Sequence, residues 1–166
     1  VTNSNELIQH IPRLRRYARA LAVDAACADD LVQDTLERAL AKLDLWRPGS
    51  DLRAWLFTLM HNLFVNQIRA SGSQTLCELD EASDVPVSGS QGDALAVRDI
   101  HAALRKLPPE QREVVLLVGL EQFAYADAAR ILGVPQGTIM SRLSRARERM
   151  RQLLDGHQVT KLQVVK

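Results

Sequence analysis

Apolar positions recur at helical spacing along most of the chain. Leu7, Ile11, Leu14, Ala18 and Leu21 step by 4, 3, 4 and 3, which puts them on one stripe of a helix. Pro12 is tolerable only in a first turn or at a kink, so regular helix is expected from about that residue onward. A second helix is expected over residues 29–43, with Asp29 and Asp30 favouring its N-terminus. The chain then turns through Arg47, Pro48, Gly49 and Ser50. A third helix follows over 52–70, with Ser50 or Asp51 as its cap. Further on, the pattern predicts a helix over 94–107, a stop at Pro108 and Pro109, and a helix over 110–119.

Residues 71–93 break this pattern. They hold five Ser, three Gly and one Pro without helical periodicity, the composition of a flexible linker. The expected architecture is therefore all-α. Two small helical domains, 1–70 and 94–156, flank the linker, and a tail at 157–166 has no clear assignment. Each half is near the lower size limit for independent folding, which helical packing can satisfy.

The segment from Tyr125 to Leu154 reads as helix, tight turn, helix. Ala129, Gly133 and Ile139 fall at the spacing that two steeply crossed helices need, with a small residue at the contact and glycine at the turn. In the second of these helices Ile139, Leu143, Ala146, Met150 and Leu153 form the buried stripe. Arg142, Arg145 and Arg149 lie on one flank, and Arg147 and Arg151 on the other. A helix pair that presents arginines on its second member is suited to a DNA major groove. The groove-facing set is Gln136, Thr138, Met140, Ser141, Arg142, Arg145 and Arg149. Arginine can pair bidentately with guanine, and the others can position on phosphates.

Charge sharpens this picture. The formal net charge is only +1, but residues 71–93 carry five acids and no base, whereas 94–166 carry 12 basic and seven acidic residues. The basic surplus lies where the DNA-binding pattern lies. Low aromatic content, 4%, suits a Leu- and Ala-rich helical protein better than a β-sandwich. No run of 18 apolar residues and no signal-peptide layout is present, so a cytoplasmic protein without membrane insertion is expected. Cys27 and Cys77 are too few for a disulfide framework, and the four histidines are too scattered for a metal site. No Gly-rich phosphate loop or nucleophile elbow appears, so neither enzyme activity nor a cofactor nor a small-molecule substrate is expected. His61 beside Asn62 is the nearest approach to a catalytic pair, and reads better as a packing or DNA-facing residue.

Two polar stripes stand out in the N-terminal half. Asp30, Asp34 and Glu37 form an acidic stripe with Gln33 beside it. The bland reading is a solvated face; the functional one is a docking face for a basic or polar surface. Thr58, Asn62, Asn66 and Arg69 form a second stripe on an otherwise apolar segment. Asparagine is a poor helix former with good base-reading chemistry.

These segments together resemble the extracytoplasmic-function (ECF) sigma factors of bacterial RNA polymerase. The resemblance is carried by ADDLVQDTLERAL at 28–40, PGSDLRAWLFTLMHNLFVNQIR at 48–69, LPPEQREVVLLV at 107–118, and the helix-turn-helix that follows. It covers roughly residues 7–154, and two motif blocks in the right order are far more specific than a lone helix-turn-helix. The resemblance implies that Asp30, Leu31, Gln33, Asp34 and Glu37 bind core RNA polymerase, chiefly the clamp helices of β′, with the β subunit as a further partner. It implies that Trp46, Arg47, Asn62, Asn66 and Arg69 read the −10 element, where a base is flipped from the non-template strand at a cost of a few kcal/mol. The groove-facing set would read the −35 element of promoter DNA. The acidic linker would thread through the polymerase, and an anti-sigma factor would hold the protein in check. The family often has Gly-Leu-Ser-Tyr where this chain has Gln122, Phe123, Ala124 and Tyr125, so a serine cap is missing. Many members carry a basic residue where Met140 stands. The competing reading is a stand-alone operator-binding regulator, which predicts dimers and a palindromic site but leaves the two N-terminal stripes idle.

Overall fold

The computed structural model describes residues 2–22, 24–71 and 91–163, and among these no strand occurs. Helix α1 (Thr2–Leu21) runs straight through Pro12, where a start had been expected. Proline removes one amide and crowds the carbonyl four residues back. Pro12 is on the exposed side, whereas Leu7, Leu14, Tyr17, Ala18 and Leu21 are all buried. Burial of the large side chains among them, each worth about 1.5–3 kcal/mol, outweighs the roughly 3 kcal/mol that a mid-helix proline costs.

Helix α2 (Ala25–Ala41) begins a turn before the Asp29–Asp30 pair. Its cap is Asp24, whose carboxylate accepts from the Cys27 amide at 2.7 Å. This N-cap satisfies one of the orphan amides of the first turn, and the later acids are left on the helix surface. A short 3₁₀ turn (Leu43–Leu45) leads to α3 (Leu52–Ala70), capped by Asp51, which accepts from the Ala54 amide at 3.1 Å. Residues 72–90, where the linker was expected, lie outside the described residues; Gln91, Gly92 and Asp93 already belong to α4 (Gln91–Arg105).

Helix α5 (Pro109–Val115) opens on a proline in its first turn, as the double proline predicted. It then widens into a π-helical stretch (Leu116–Leu120) instead of continuing as α-helix. Helix α6 (Tyr125–Leu132) ends at Gly133, whose φ of 65° requires a residue without a Cβ penalty. Helix α7 (Gln136–Gln163) continues past Leu154, where the helix-turn-helix was expected to end, and takes in most of the tail at 157–166. Its buried positions Ile139, Leu143 and Ala146 are those the stripe predicted.

Helices α1, α2 and α3 pack on one another, and α4, α5 and α6 pack around α7. The two units also meet. Helix α3 lies on α6, and α1 touches α4, α5 and the π turn, so the buried side chains of both halves form one continuous cluster.

Arg112 pins this junction. It is 3% exposed and donates four hydrogen bonds: to the carbonyls of Leu104 (2.8 Å), Arg105 (3.0 Å) and Leu107 (3.0 Å), and across the junction to Leu21 (2.7 Å). Carbonyls at a helix C-terminus have no intrahelical partner, and a guanidinium's fork of donors can satisfy several at once. Burial, followed by the charge of Arg105, pulls the Arg112 pKa below its usual value, but a guanidinium stays charged. Arg112→Met should therefore lower the unfolding free energy by about 3 kcal/mol or more, since buried carbonyls are left unsatisfied. Urea titration followed by circular dichroism checks this.

Candidate nucleic-acid interface

On α2 the side chains of Asp30, Gln33, Asp34 and Glu37 are exposed. Leu31 is not: it is fully buried and belongs to the core, so it is removed from the docking set. The helical period fixes its direction, since Leu31 shares a face with the buried Ala28 and Thr35. The acidic stripe borders a groove of ≈ 740 Å³ between α1 and α2. Arg15 and Arg19 line one wall, and Asp29, Gln33 and Glu37 the other, with Val32, Leu36 and Leu40 also in the lining. Leu40 is 57% exposed. Both arginines are exposed on α1. The packing of α1 against α2 makes them the opposite wall of a mixed-charge, partly apolar groove.

In the turn before α3, the Arg47 carbonyl accepts from both the amide (3.1 Å) and the hydroxyl (2.7 Å) of Ser50, and Gly49 takes a φ of 88°. This rigid turn leaves Arg47 exposed. Trp46 was expected to read DNA from here, but it is 8% exposed and part of the core. Trp46 belongs to the buried cluster from which the loop projects. The large apolar side chain that the loop offers to solvent is Leu45, 77% exposed. Periodicity cannot tell which of two adjacent apolar residues in a loop turns inward, so this exchange left no mark in the sequence. Asn62, Asn66 and Arg69 are exposed along α3, as the stripe predicted, whereas Thr58 donates its hydroxyl to the Ala54 carbonyl at 2.8 Å.

On α7, Gln136, Met140, Ser141, Arg145 and Arg149 are exposed and Thr138 is half-buried. Among the described residues no acid pairs with Arg145, Arg147 or Arg149. Arg151 is engaged by Glu148 at 2.7 Å, and that bond holds the Glu148 carboxyl below its usual range. Arg142 differs from its neighbours. It is turned towards Glu110 at 3.7 Å, and it lines a groove of ≈ 620 Å³ together with Val65, Ile68 and Arg69 of α3 and with Leu132 and Val134. The presumed −10 and −35 readers thus border the same cleft.

The contacts across the junction were not anticipated. His61 Nδ1 lies 2.5 Å from Glu113 Oε2, so His61 is a packing residue at the junction. Arg16 pairs with the fully buried Glu121 at 2.9 Å. Arg53 donates to the Glu121 carbonyl at 3.2 Å and stacks 3.9 Å above the Phe123 ring. Phe123 meets Phe57 edge-on at 5.3 Å, and Phe57 meets Tyr17 at 5.0 Å. Burial, and then the carboxylates of Glu113 and Glu121, hold the Tyr17 hydroxyl well above its usual pKa. A distinctive signal was the pair of acids Glu113 and Glu121 beside long apolar runs, but nothing local says what faces them. Among the described residues no cluster of His, Cys, Asp and Glu could hold a metal, and no helix is long and apolar enough to cross a membrane.

Two family models match this chain: the Sigma2 domain of PhyR over residues 7–61 and Sigma-70, region 4 over 98–150. Matching relatives include the ECF RNA polymerase sigma factor EcfG of Rhodopseudomonas palustris (strain TIE-1). It is 42% identical over 151 residues, 90% of this chain and 83% of that protein. Among solved structures, the sigma factor RpoE in complex with the anti-sigma factor NepR from Bartonella quintana is similar, with a TM-score of 0.79 and 39% identity. That match covers 93% of this chain and 97% of that one. CnrH, solved in complex with the cytosolic domain of CnrY, follows at a TM-score of 0.67 and 27% identity, covering 92% and 87%. The chain belongs to the ECF RNA polymerase sigma factors, which are transcription initiation factors.

The Arg142–Glu110 pair is long and its acid is 73% exposed, so it adds little stability. Arg142→Ala should change the unfolding free energy by less than about 0.5 kcal/mol. Thermal melting of the variant checks this, and an unchanged melt assigns any loss of DNA binding to the missing contact.

Proposed function

We propose that this chain binds core RNA polymerase and directs it to promoters by reading a −35 and a −10 element, without itself catalysing a reaction. The observation that carries this is the coexistence on one chain of three exposed surfaces. They are the acidic face of α2, the asparagine stripe of α3 and the arginines of α7. Asp30, Gln33, Asp34 and Glu37 dock on the β′ clamp helices, and the α1–α2 groove receives the apolar side of that partner. Arg47, Asn62, Asn66 and Arg69 read the −10 element, with Leu45 at hand for a flipped base. Gln136, Thr138, Met140, Ser141, Arg142, Arg145 and Arg149 read the −35 element from the major groove. These actions place the protein in the cytoplasm.

Reading both elements requires the two halves to part. The elements lie roughly 25 base pairs apart, about 85 Å at 3.4 Å per pair. A compact chain of this length has a radius of gyration near 15 Å, hence a diameter of about 40 Å. With α3 lying on α6, one closed molecule cannot reach both. The closed state is the form that a regulator would hold. RpoE of Bartonella quintana is bound by the anti-sigma factor NepR and CnrH by the cytosolic domain of CnrY. By the same logic this chain is controlled by an anti-sigma protein, and the cleft between α3 and the helix-turn-helix is a suitable seat for it.

The test is transcription in vitro with core polymerase stripped of other sigma factors, on a library of genomic fragments, with start sites mapped. Discrete starts below a shared bipartite motif are expected. No stimulation, together with tight binding of the free protein to a palindrome, would instead support an operator-binding regulator. Asp30→Arg with Asp34→Arg should weaken assembly with core polymerase at least tenfold, because two charges are reversed at the docking face; pull-down titration reads this, and normal assembly sinks the assignment. Asn62→Ala should slow promoter opening and blunt −10 selectivity while leaving assembly intact, as read by permanganate footprinting beside the same titration.

A further inference from the structure

The junction between the halves is asymmetric in charge and chemistry. The N-terminal unit contributes Arg16, Arg53 and His61 with the rings of Tyr17 and Phe57; the C-terminal unit contributes Glu113, Glu121 and Phe123. Within this junction one loop is arranged like a nucleotide. The Glu121 carboxylate sits on Arg16 at 2.9 Å, where a phosphate would sit. Two residues on, the Phe123 ring lies beneath the Arg53 guanidinium at 3.9 Å and against the edge of Phe57, where a base would stack.

We propose that Arg16, Tyr17, Arg53 and Phe57 form a binding site for one nucleotide of single-stranded DNA, which the Glu121–Phe123 loop occupies while the two halves are closed. The proposal rests on the sigma-factor reading, because strand opening supplies the ligand. Guanidinium groups beside aromatic faces are the recurring chemistry of single-strand recognition: every base has a π face, and every phosphate can pair with arginine. This site is separate from the asparagine stripe. On α3, Arg53 and Phe57 stand one turn apart on the face buried at the junction, whereas Asn62 and Asn66 are exposed.

A plain latch is the competing account, and one feature weighs against it. Glu121 Oε2 is buried without a hydrogen-bond partner among the described residues. An under-satisfied buried carboxylate is a poor device for permanent closure, for which an apolar side chain serves as well or better. A stand-in that must yield to the true ligand, however, needs the ligand's charge without the ligand's full set of bonds.

The test uses the full chain and a fluorescein-labelled oligodeoxynucleotide of mixed sequence, about 12 nucleotides long, with anisotropy as readout. Glu121→Gln with Phe123→Ser removes the occupant, and this variant should bind the oligonucleotide about tenfold tighter than the parent. Adding Arg16→Ala and Arg53→Ala should return affinity to the parent level. Circular dichroism and small-angle scattering establish that the variant is folded and has opened. An opened, folded variant that binds no better overturns the proposal, as does a gain that survives loss of both arginines.

Should Phe123→Ser unfold the chain, Arg16→Ala with Arg53→Ala in the otherwise intact protein decides the matter in the holoenzyme. A latch predicts unchanged or faster promoter opening, because closure is weakened. The nucleotide site predicts opening slowed about tenfold with core polymerase binding retained. Arginine-dependent capture of core polymerase without any oligonucleotide binding would mean that the patch docks protein, and would also overturn the proposal. Failure of the sigma-factor reading itself is registered separately, as absence of core polymerase binding by the unaltered chain.

Discussion

Arg112 is the constraint on which the arrangement of the two halves depends. A buried guanidinium is tolerable only where its donors are met, and here they are met by the frayed end of α4, by Leu107 in the following turn, and by the last residue of α1. Three of the four bonds are internal to the C-terminal unit and would persist if the halves separated. Only the bond to the Leu21 carbonyl crosses the junction. Arg112 therefore both completes the C-terminal unit and offers a single directional tie to the N-terminal one. A residue with this division of labour lets closure be specific in geometry yet weak in total energy.

The remaining ties follow the same economy. Arg16 is 54% exposed at the side chain, so its pair with Glu121 is partly in water and correspondingly weak. His61 contributes charge only when protonated. Phe123 brings the larger apolar contribution, because burial of an aromatic ring against Phe57 is worth more than an exposed ion pair. Closure is thus held by one ring and by polar contacts that a competing anionic surface can replace one for one. That balance is what a protein needs if it must be stored closed and used open.

The sequence made much of the scaffold legible and little of this junction. Helix α3 and its Asp51 cap, the turn at Gly133 and the buried stripe of α7 are local features: periodicity, a capping side chain and a positive φ. The stripe of Asn62, Asn66 and Arg69 was readable because polar residues at helical spacing are conspicuous on an apolar helix. Helix α1 was misjudged at Pro12 because a proline penalty is visible in one residue, whereas the burial that outweighs it belongs to partners distant in sequence. Trp46 and Leu31 were taken for contact residues for the converse reason: family motifs mark which residues matter, not whether they touch the partner or hold up those that do. Glu121 and Arg16 are 105 positions apart, and no pattern within either segment points to the other.

The loop from Glu121 to Ala124 joins these threads. Gln122 stands where the family commonly has glycine, and it adopts a φ of 58°, a left-handed conformation that costs an ordinary residue about 1–2 kcal/mol. Ala124 stands where serine is common, and α6 starts at the expected place without a side-chain cap, forgoing about 1 kcal/mol. The loop is thus less stable by itself than the family pattern would make it. Its conformation is maintained from within by backbone bonds from the Glu121 and Phe123 amides to the Leu116 and Leu117 carbonyls, and from outside by the burial of Glu121 and Phe123 against the N-terminal unit. Local strain and closure are then two ends of one equilibrium. When the junction opens, the loop loses the outer of these supports, and relaxation of Gln122 and of the α6 N-terminus offsets part of the cost of exposing Phe123. On the proposed function, Gln122 and Ala124 therefore favour the open, promoter-competent state over the closed one.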